Sequence, residues 1–154
     1  MIIQGCILNK NASELSFVNK YGGEDFSIFK GMSFTLRGLD NNGNKIIFAY
    51  DTLACGYLKI VVHKDSFTVV DTQQMPLKDG CIIIVDPTKI SLSQAFAKYN
   101  IYYIAANKNN NVFFKTKPFE GKPNLLLLND STNVEGLNLE KWEQLKGRWF
   151  LLKE

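Results

Sequence analysis

Residues 80–117 read GCIIIVDPTKISLSQAFAKYNIYYIAANKNNNVFFKTK, and this stretch decides the fold that the sequence predicts. The run from Cys81 to Val85 is β-branched without polar alternation, which is typical of a strand covered on both faces. Asp86-Pro87 ends that strand, because proline cannot donate to a strand ladder. A helix and a hairpin follow, so the stretch predicts a strand, a helix and two further strands.

The predicted helix begins at Ser91, which forms a capping box with Gln94. Apolar side chains then recur at helical spacing on two turns: Leu92, Ala95, Phe96 and Tyr99. Asn100 ends the helix, because asparagine tolerates the left-handed conformation of a helix terminus. Residues 101–106 and 112–117 are predicted strands, joined by an asparagine-rich hairpin loop. A helix this short needs the sheet to support it.

The rest of the chain indicates mainly short strands. Residues 2–8 are a predicted first strand, and residues 11–19 fit either a helical turn or a strand. Residues 26–71 alternate apolar and polar side chains in segments spaced about ten residues apart. Within them Asn42-Gly43 is a strong hairpin signal, because both residues accept a positive φ.

The C-terminal part predicts two more strands, residues 125–128 and 149–152, and a second helix. Asn138 caps that helix and Gly147 ends it. Its core-facing residues are Leu139, Trp142 and Leu145.

These elements predict an α+β fold with a mostly antiparallel β-sheet. We expect a sandwich or barrel-like arrangement of about eight short strands, with two short packed helices. An all-β sandwich with helical insertions is the alternative. The chain has 154 residues without a linker or repeat, so residues 1–154 are expected to form a single globular domain.

Three cysteines, Cys6, Cys55 and Cys81, are odd in number and far apart in sequence. This predicts free thiols in a reducing compartment, and no CxxC spacing indicates a zinc or redox site. The N-terminus lacks the features of a signal peptide, and no apolar run has membrane-spanning length. We therefore predict a cytoplasmic protein without a membrane partner. Incorporation of this protein into a virion is compatible with that prediction.

Catalytic motifs are sparse. His63 is the only histidine, so a multi-histidine metal site is excluded and a thiol enzyme has one candidate base. Cys55 precedes it by eight residues, but the sequence offers no third group to orient the pair. The aspartates stand beside turn-forming residues, where they bond nearby amides. We therefore predict no enzyme, no cofactor and no metal site, with a thiol enzyme using Cys55 and His63 as the second alternative.

A basic and aromatic stretch lies between Lys89 and Lys122, with six lysines and one acidic residue. It predicts a single-stranded nucleic-acid site as the first alternative function, because lysines can track phosphates while rings stack bases. The candidate residues are Lys108, Lys115, Lys117, Lys122, Tyr102 and Phe113. Alternation places Phe113, Lys115 and Lys117 on one sheet face. The more ordinary interpretation has core aromatics and solvated edge lysines, and the presence of only two arginines favours it.

The primary prediction is a non-catalytic protein-interaction or assembly module, such as a structural subunit of a larger complex like a phage particle. Many short strands provide edges for pairing, and the partners would be other protein subunits, either further copies or different chains. Trp149 is the candidate partner interface, because tryptophan is enriched at binding hot spots, although a core position fits it equally well. The excess of lysine and asparagine is typical of AT-rich bacterial or phage genomes.

Overall fold

The computed structural model describes residues 11–51, 55–118, 121–129 and 136–153. In these ranges the chain forms the predicted α+β fold with an antiparallel sheet and two helices. The helices are α1 (Ala12–Tyr21) and α2 (Pro87–Tyr99). The strands are β1 (Met32–Leu39), β2 (Lys45–Asp51), β3 (Gly56–Val62), β4 (Val69–Pro76), β5 (Tyr103–Ala106), β6 (Val112–Lys115), β7 (Leu125–Leu127), β8 (Trp142–Lys146) and β9 (Trp149–Leu152). The predicted strand at residues 2–8 lies outside the described ranges.

All nine strands belong to one antiparallel sheet in the order β4-β3-β2-β1-β5-β6-β7-β9-β8. The chain runs outward from β1 to β4 as a meander, and α2 then returns over β2 and β3. From there β5 pairs with the other side of β1 and the chain continues to β9. Of the strands in the described ranges, β4 and β8 are therefore the two at the edges of the sheet.

The helices lie on one face of the sheet, which we call the covered face. Because side chains alternate along each strand, the inner strands bury one set of alternate side chains beneath the helices, whereas β4 and β8 contain no fully buried residue. Strand residues in this core include Phe34, Ile47, Leu58, Ile60, Ile104, Phe114, Leu125 and Leu151. Aromatic rings from α1 and the 3-10 turn Phe26–Phe29 complete it. We call the opposite face the outer face, and neither α1 nor α2 packs on it.

The prediction of a doubly buried strand at residues 81–85 is wrong. The segment is a surface connection between β4 and α2 without strand pairing. Ile82 is 86% exposed and Ile84 is 65% exposed, while Ile83 alone in the run is buried at 9%. Burial of a β-branched run depends on neighbours in the sheet, and here the chain has already left β4 at the sheet edge.

The helix after this segment begins earlier than predicted. The Asp86 side chain accepts a hydrogen bond from the Lys89 backbone amide at 2.8 Å, and Pro87 occupies the first turn. Proline is favoured there because its missing amide proton has no helical partner. Ser91 therefore lies inside α2. The predicted end is confirmed, since Asn100 has left-handed angles of φ 54° and ψ 44°.

Two further segments differ from the sequence-based expectation. Phe26 and Ile28, predicted as alternating strand residues, lie in a 3-10 turn. The helix predicted from Asn138 is a single 3-10 turn, Leu139–Lys141, although Asn138 does cap it by accepting from the Glu140 amide at 3.2 Å. The chain then enters β8 at Trp142, because pairing with β9 replaces helical hydrogen bonding.

Two predicted hairpin turns are confirmed. Between β1 and β2, the Asp40 carboxylate accepts the backbone amides of Asn42 and Asn44 at 2.8 Å each, and Gly43 has a φ of 81°. Between β5 and β6, residues 107–111 form the asparagine turn. In both turns, side chains form hydrogen bonds with nearby backbone groups, which explains why sequence alone located these turns.

Candidate functional site

The two described cysteines are oxidised. Cys55 and Cys81 form a disulfide with Cα atoms 5.6 Å apart, so the prediction of free thiols is wrong for this pair. Cys6 lies outside the described residues. Disulfides are uncommon in reducing compartments, so the bond weighs against the predicted cytoplasmic location, which stays a prediction. Within the described ranges, no helix is long and apolar enough to cross a membrane.

The candidate catalytic pair is not brought together. Cys55 precedes β3 and His63 follows it, so the two lie at opposite ends of a strand, about 26 Å apart at 3.3 Å per residue. The His63 Nδ1 atom accepts hydrogen bonds from the backbone amides of Asp65 at 3.2 Å and Ser66 at 3.3 Å. The His63 side chain therefore stabilises the turn that follows β3. Among the described residues, no cluster of three or more His, Cys, Asp or Glu side chains could hold a metal ion.

Lys117 is part of a polar network on the covered face. Its Nζ lies 3.1 Å from Oε1 of Glu14, a residue of α1 that is only 2% exposed. The same Oε1 accepts a hydrogen bond from Asn124 Nδ2 at 2.8 Å. Burial favours the neutral acid, but hydrogen bonds from the Glu14 amide, Lys117 and Ser13 outweigh it and lower the pKa of Glu14. Lys117 therefore anchors α1 and does not share a face with Lys115.

The other predicted nucleic-acid residues are scattered. Lys108 is exposed in the asparagine turn and Lys122 is exposed in the loop before β7. Tyr102 precedes β5, where its backbone amide donates to the Lys115 carbonyl at 2.8 Å. Lys115 and Phe113 do lie together on the outer face, both half-buried. The structure thus assembles two of the six predicted residues on that face.

The outer face carries a row of side chains that crosses five strands in register. Successive pairings join Lys59 of β3, Phe48 of β2, Thr35 of β1, Tyr103 of β5 and Lys115 of β6. Lysines stand at both ends of the row, and two aromatic rings lie between them. Tyr103 is half-buried, and this burial raises the pKa of its hydroxyl. We call these five residues the cross-strand row.

Further aromatic and basic groups adjoin the cross-strand row. Tyr57 stacks on Phe48 with ring centroids 4.4 Å apart and an interplanar angle of 28°, and Tyr50 lies 5.1 Å from Tyr57. The guanidinium of Arg37 lies 5.3 Å from the Phe48 ring centroid. Burial and the neighbouring Tyr57 raise the pKa of Tyr50, and Arg37 partly opposes them. Phe48 and Arg37 join Tyr57 and Lys59 through the pairing of β1, β2 and β3, which local sequence patterns do not specify.

A second candidate surface is the connection of residues 77–85, which we call the apolar segment. Four of its side chains project into solvent, with exposed fractions between 43% and 86%: Leu77, Ile82, Ile84 and Val85. Exposed contiguous apolar side chains of this kind mark interaction sites in soluble proteins. The sequence predicted Ile82, Ile84 and Val85 to lie in a strand covered on both faces, and it made no prediction for Leu77.

Several contacts hold the apolar segment in place. The disulfide at Cys81 fixes it to the start of β3. Ile83 packs over Gly56, where an added Cβ would lie 2.8 Å from Ile83 Cδ1 and 2.5 Å from a backbone oxygen of β4. The Ile84 carbonyl accepts a hydrogen bond from Lys89 Nζ at 2.7 Å. The exposed isoleucines are therefore presented from an anchored backbone.

The tryptophans occupy different environments. Trp149 is 5% exposed and packs against Phe114 at 5.2 Å and Phe26 at 5.9 Å between ring centroids. Trp149 is thus a core residue, and its 5% exposure leaves the indole little surface for the predicted partner interface. Trp142 is half-buried on β8, with its ring 6.3 Å from that of Phe113 on the outer face.

A polar cleft of about 270 Å³ lies between the 3-10 turn of residues 26–29 and β7. Its charged side chains already have structural partners. Glu24 accepts the Tyr99 hydroxyl at 2.7 Å, and Asp25 accepts the Ser27 amide at 2.9 Å. Arg148 donates to two backbone carbonyls at 3.1 and 2.5 Å. These charged groups stabilise the fold, while Oδ1 of Asn110, which also lines the cleft, is buried without a hydrogen-bond partner among the described residues.

Comparison with known protein families, curated proteins and solved structures finds no match to this chain. The apolar segment and the cross-strand row are therefore interpreted from their own geometry and chemistry.

Proposed function

We propose that this protein is a non-catalytic interaction module that assembles with other protein subunits through the apolar segment. The observation that carries the proposal is the exposure of Ile82 and Ile84, at 86% and 65%, on an anchored backbone. Full burial of one such side chain contributes about 1.5–3 kcal/mol, so the pair is a substantial driving force for association. A structural subunit of a larger complex would use such a surface.

The edge of the sheet beside the segment supports the same proposal. β4 pairs with β3 on one side and, among the strands that the structure describes, is the last one on the other side. Its side chains are mostly exposed, and Asp71 is its only charged residue. Long edge strands with few charges are poorly protected against pairing with another chain. The apolar segment and β4 together therefore form a continuous surface suited to protein contact.

A second copy of this chain is the partner that the segment fits best. No charged residue interrupts the run from Cys81 to Val85, so two copies can approach without burying an unpaired charge. Antiparallel pairing centred on Ile83 would place Ile82 of each copy opposite Ile84 of the other. All four exposed isoleucines would then lie on one face, as in an isologous two-fold interface.

The test is the oligomeric state, measured by size-exclusion chromatography with light scattering over a wide concentration range. We expect a dimer that dissociates on dilution, and a monomer for the double variant Ile82→Asp, Ile84→Asp. Leu39→Asp is the matched control, because Leu39 is 62% exposed on β1 and lies outside the segment. A wild-type monomer at every concentration, or a double variant that dimerises like the control, would overturn the proposal.

A further inference from the structure

The outer face supports an inference that is independent of the proposed assembly function and uses a different surface. The cross-strand row spans four strand spacings between Lys59 and Lys115, about 19 Å at roughly 4.8 Å per spacing. Phe48 and Tyr103 lie between these lysines at positions fixed by strand pairing. The row is thus a rigid line of rings with a cation at each end.

The charge of this part of the outer face is mainly positive. Strands β1–β6 contain two carboxylates, Asp51 and Asp71. Asp51 binds Lys89 of α2, which lies on the covered face, whereas Asp71 pairs with Val61 and lies on the outer face of the edge strand β4. Within these strands, Lys115 and the exposed Arg37 therefore lack an acidic neighbour on the outer face, and Lys59 has one, Asp71, at a diagonal position. An extended anionic ligand complements this arrangement.

The aromatic groups indicate which further chemical groups that ligand carries. Phe48 and Tyr57 are nearly parallel at 4.4 Å, and Arg37 lies 5.3 Å from the Phe48 ring. Flat rings beside a guanidinium form a stacking surface for planar groups, and bases of single strands stack on such surfaces without sequence preference. Duplex bases are stacked on each other and do not offer these faces.

We infer that the outer face binds single-stranded nucleic acid, with bases on Phe48 and Tyr103 and phosphates at Lys59, Lys115 and Arg37. The strand would follow the cross-strand row from β3 to β6. Because the contacts are phosphates and ring faces, binding is sequence-tolerant and weakens steeply with salt. This site retains Lys115 from the sequence-based candidates and replaces the remaining lysines with residues from β1 and β3.

The experiment is fluorescence anisotropy with a short labelled oligothymidylate, and with the duplex of the same length, at several salt concentrations. We expect binding to the single strand that is clearly tighter than to the duplex. The double variant Lys59→Ala, Lys115→Ala should reduce the slope of log affinity against log salt by about 1.4, at about 0.7 for each lost single-strand phosphate contact. The matched control Lys98→Ala removes an exposed lysine of α2 on the other side of the sheet and should bind as the wild type does.

A ring variant tests stacking separately from charge. Phe48→Leu keeps an apolar side chain in β2 and should weaken single-strand binding roughly tenfold, within the range for one lost base–aromatic contact. Circular dichroism checks that the fold is intact. Absence of binding at low salt, equal affinity for the duplex, or equal weakening by Lys98→Ala would each overturn the inference. The charge variants keep the test valid even if Phe48→Leu disturbs folding.

Discussion

For the ion pair between Lys89 and Asp51, we predict that removing one partner lowers the free energy of unfolding more than removing the other. Lys89 Nζ lies 2.6 Å from Asp51 Oδ2, and the exposed fractions of the two side chains are 4% and 39%. The same ammonium donates to the Ile84 carbonyl at 2.7 Å. The pair joins the first turn of α2 to the end of β2. Because the lysine is buried and the aspartate is not, removing the aspartate leaves a buried positive charge. Removing the lysine leaves a negative charge that is in contact with water.

Asp51→Asn leaves the Lys89 ammonium buried without a counter-charge, which costs about 3–5 kcal/mol in the free energy of unfolding. Lys89→Met leaves Asp51 in contact with water and removes a desolvated charge along with its hydrogen bond. That change costs about 1.5–3 kcal/mol, the value of one hydrogen bond to a charged group. Each kcal/mol lowers the Tm of a domain of this size by about 2–4 °C, so Asp51→Asn should lower it by roughly 10 °C.

Urea unfolding followed by tryptophan fluorescence measures both changes, since Trp149 is buried in the native state. Asp71→Asn is the control, because this exposed carboxylate on β4 should contribute less than about 0.5 kcal/mol. The reasoning is refuted if Lys89→Met destabilises the protein more than Asp51→Asn does. It is equally refuted if Asp51→Asn has the same effect as the control.

Two further predictions concern the disulfide and Glu14. Replacing Cys55 and Cys81 by serine opens a loop with a sequence separation of 26 residues. Loop closure of that length predicts a loss of about 3.5 kcal/mol, measurable by urea unfolding, and an unchanged midpoint would contradict it. The lowered pKa of Glu14 gives stability that is complete above the ordinary value of 4.5 and is lost as the pH falls through the lowered pKa. Glu14→Gln should therefore be less stable than the wild type at neutral pH and lose less stability on acidification. If the unfolding free energies of the two proteins fall in parallel with pH, Glu14 is not the source of this pH dependence.

Features that depend on local chemistry were predictable from the sequence. The turn at Asn42-Gly43, the asparagine turn before β6 and the end of α2 at Asn100 were all located correctly. In each case a side chain or a left-handed residue satisfies backbone groups a few positions away. Strands β7 and β9 were also located, because their apolar runs are bounded by polar or turn-forming residues.

Features that depend on distant parts of the chain were not predictable in the same way. The run from Cys81 to Val85 has strand composition, but the helix cap at Asp86 follows it and none of the described strands pairs with it, so it lies on the surface. The pairing of Cys81 with Cys55 depends on where β3 and β4 bring the two sulfurs. A local pattern cannot specify either outcome.

By itself, the sequence determined the α+β class, most strand positions and the turn chemistry, because these follow from the alternation of side chains and from bonds between near neighbours. Only the tertiary structure decided which β-branched residues face solvent and which rings share the outer face. The cross-strand row joins residues from five strands through the register of four strand pairings. Since a shift of one residue in any pairing would move its partners to the opposite face, the row exists only once the whole sheet has formed.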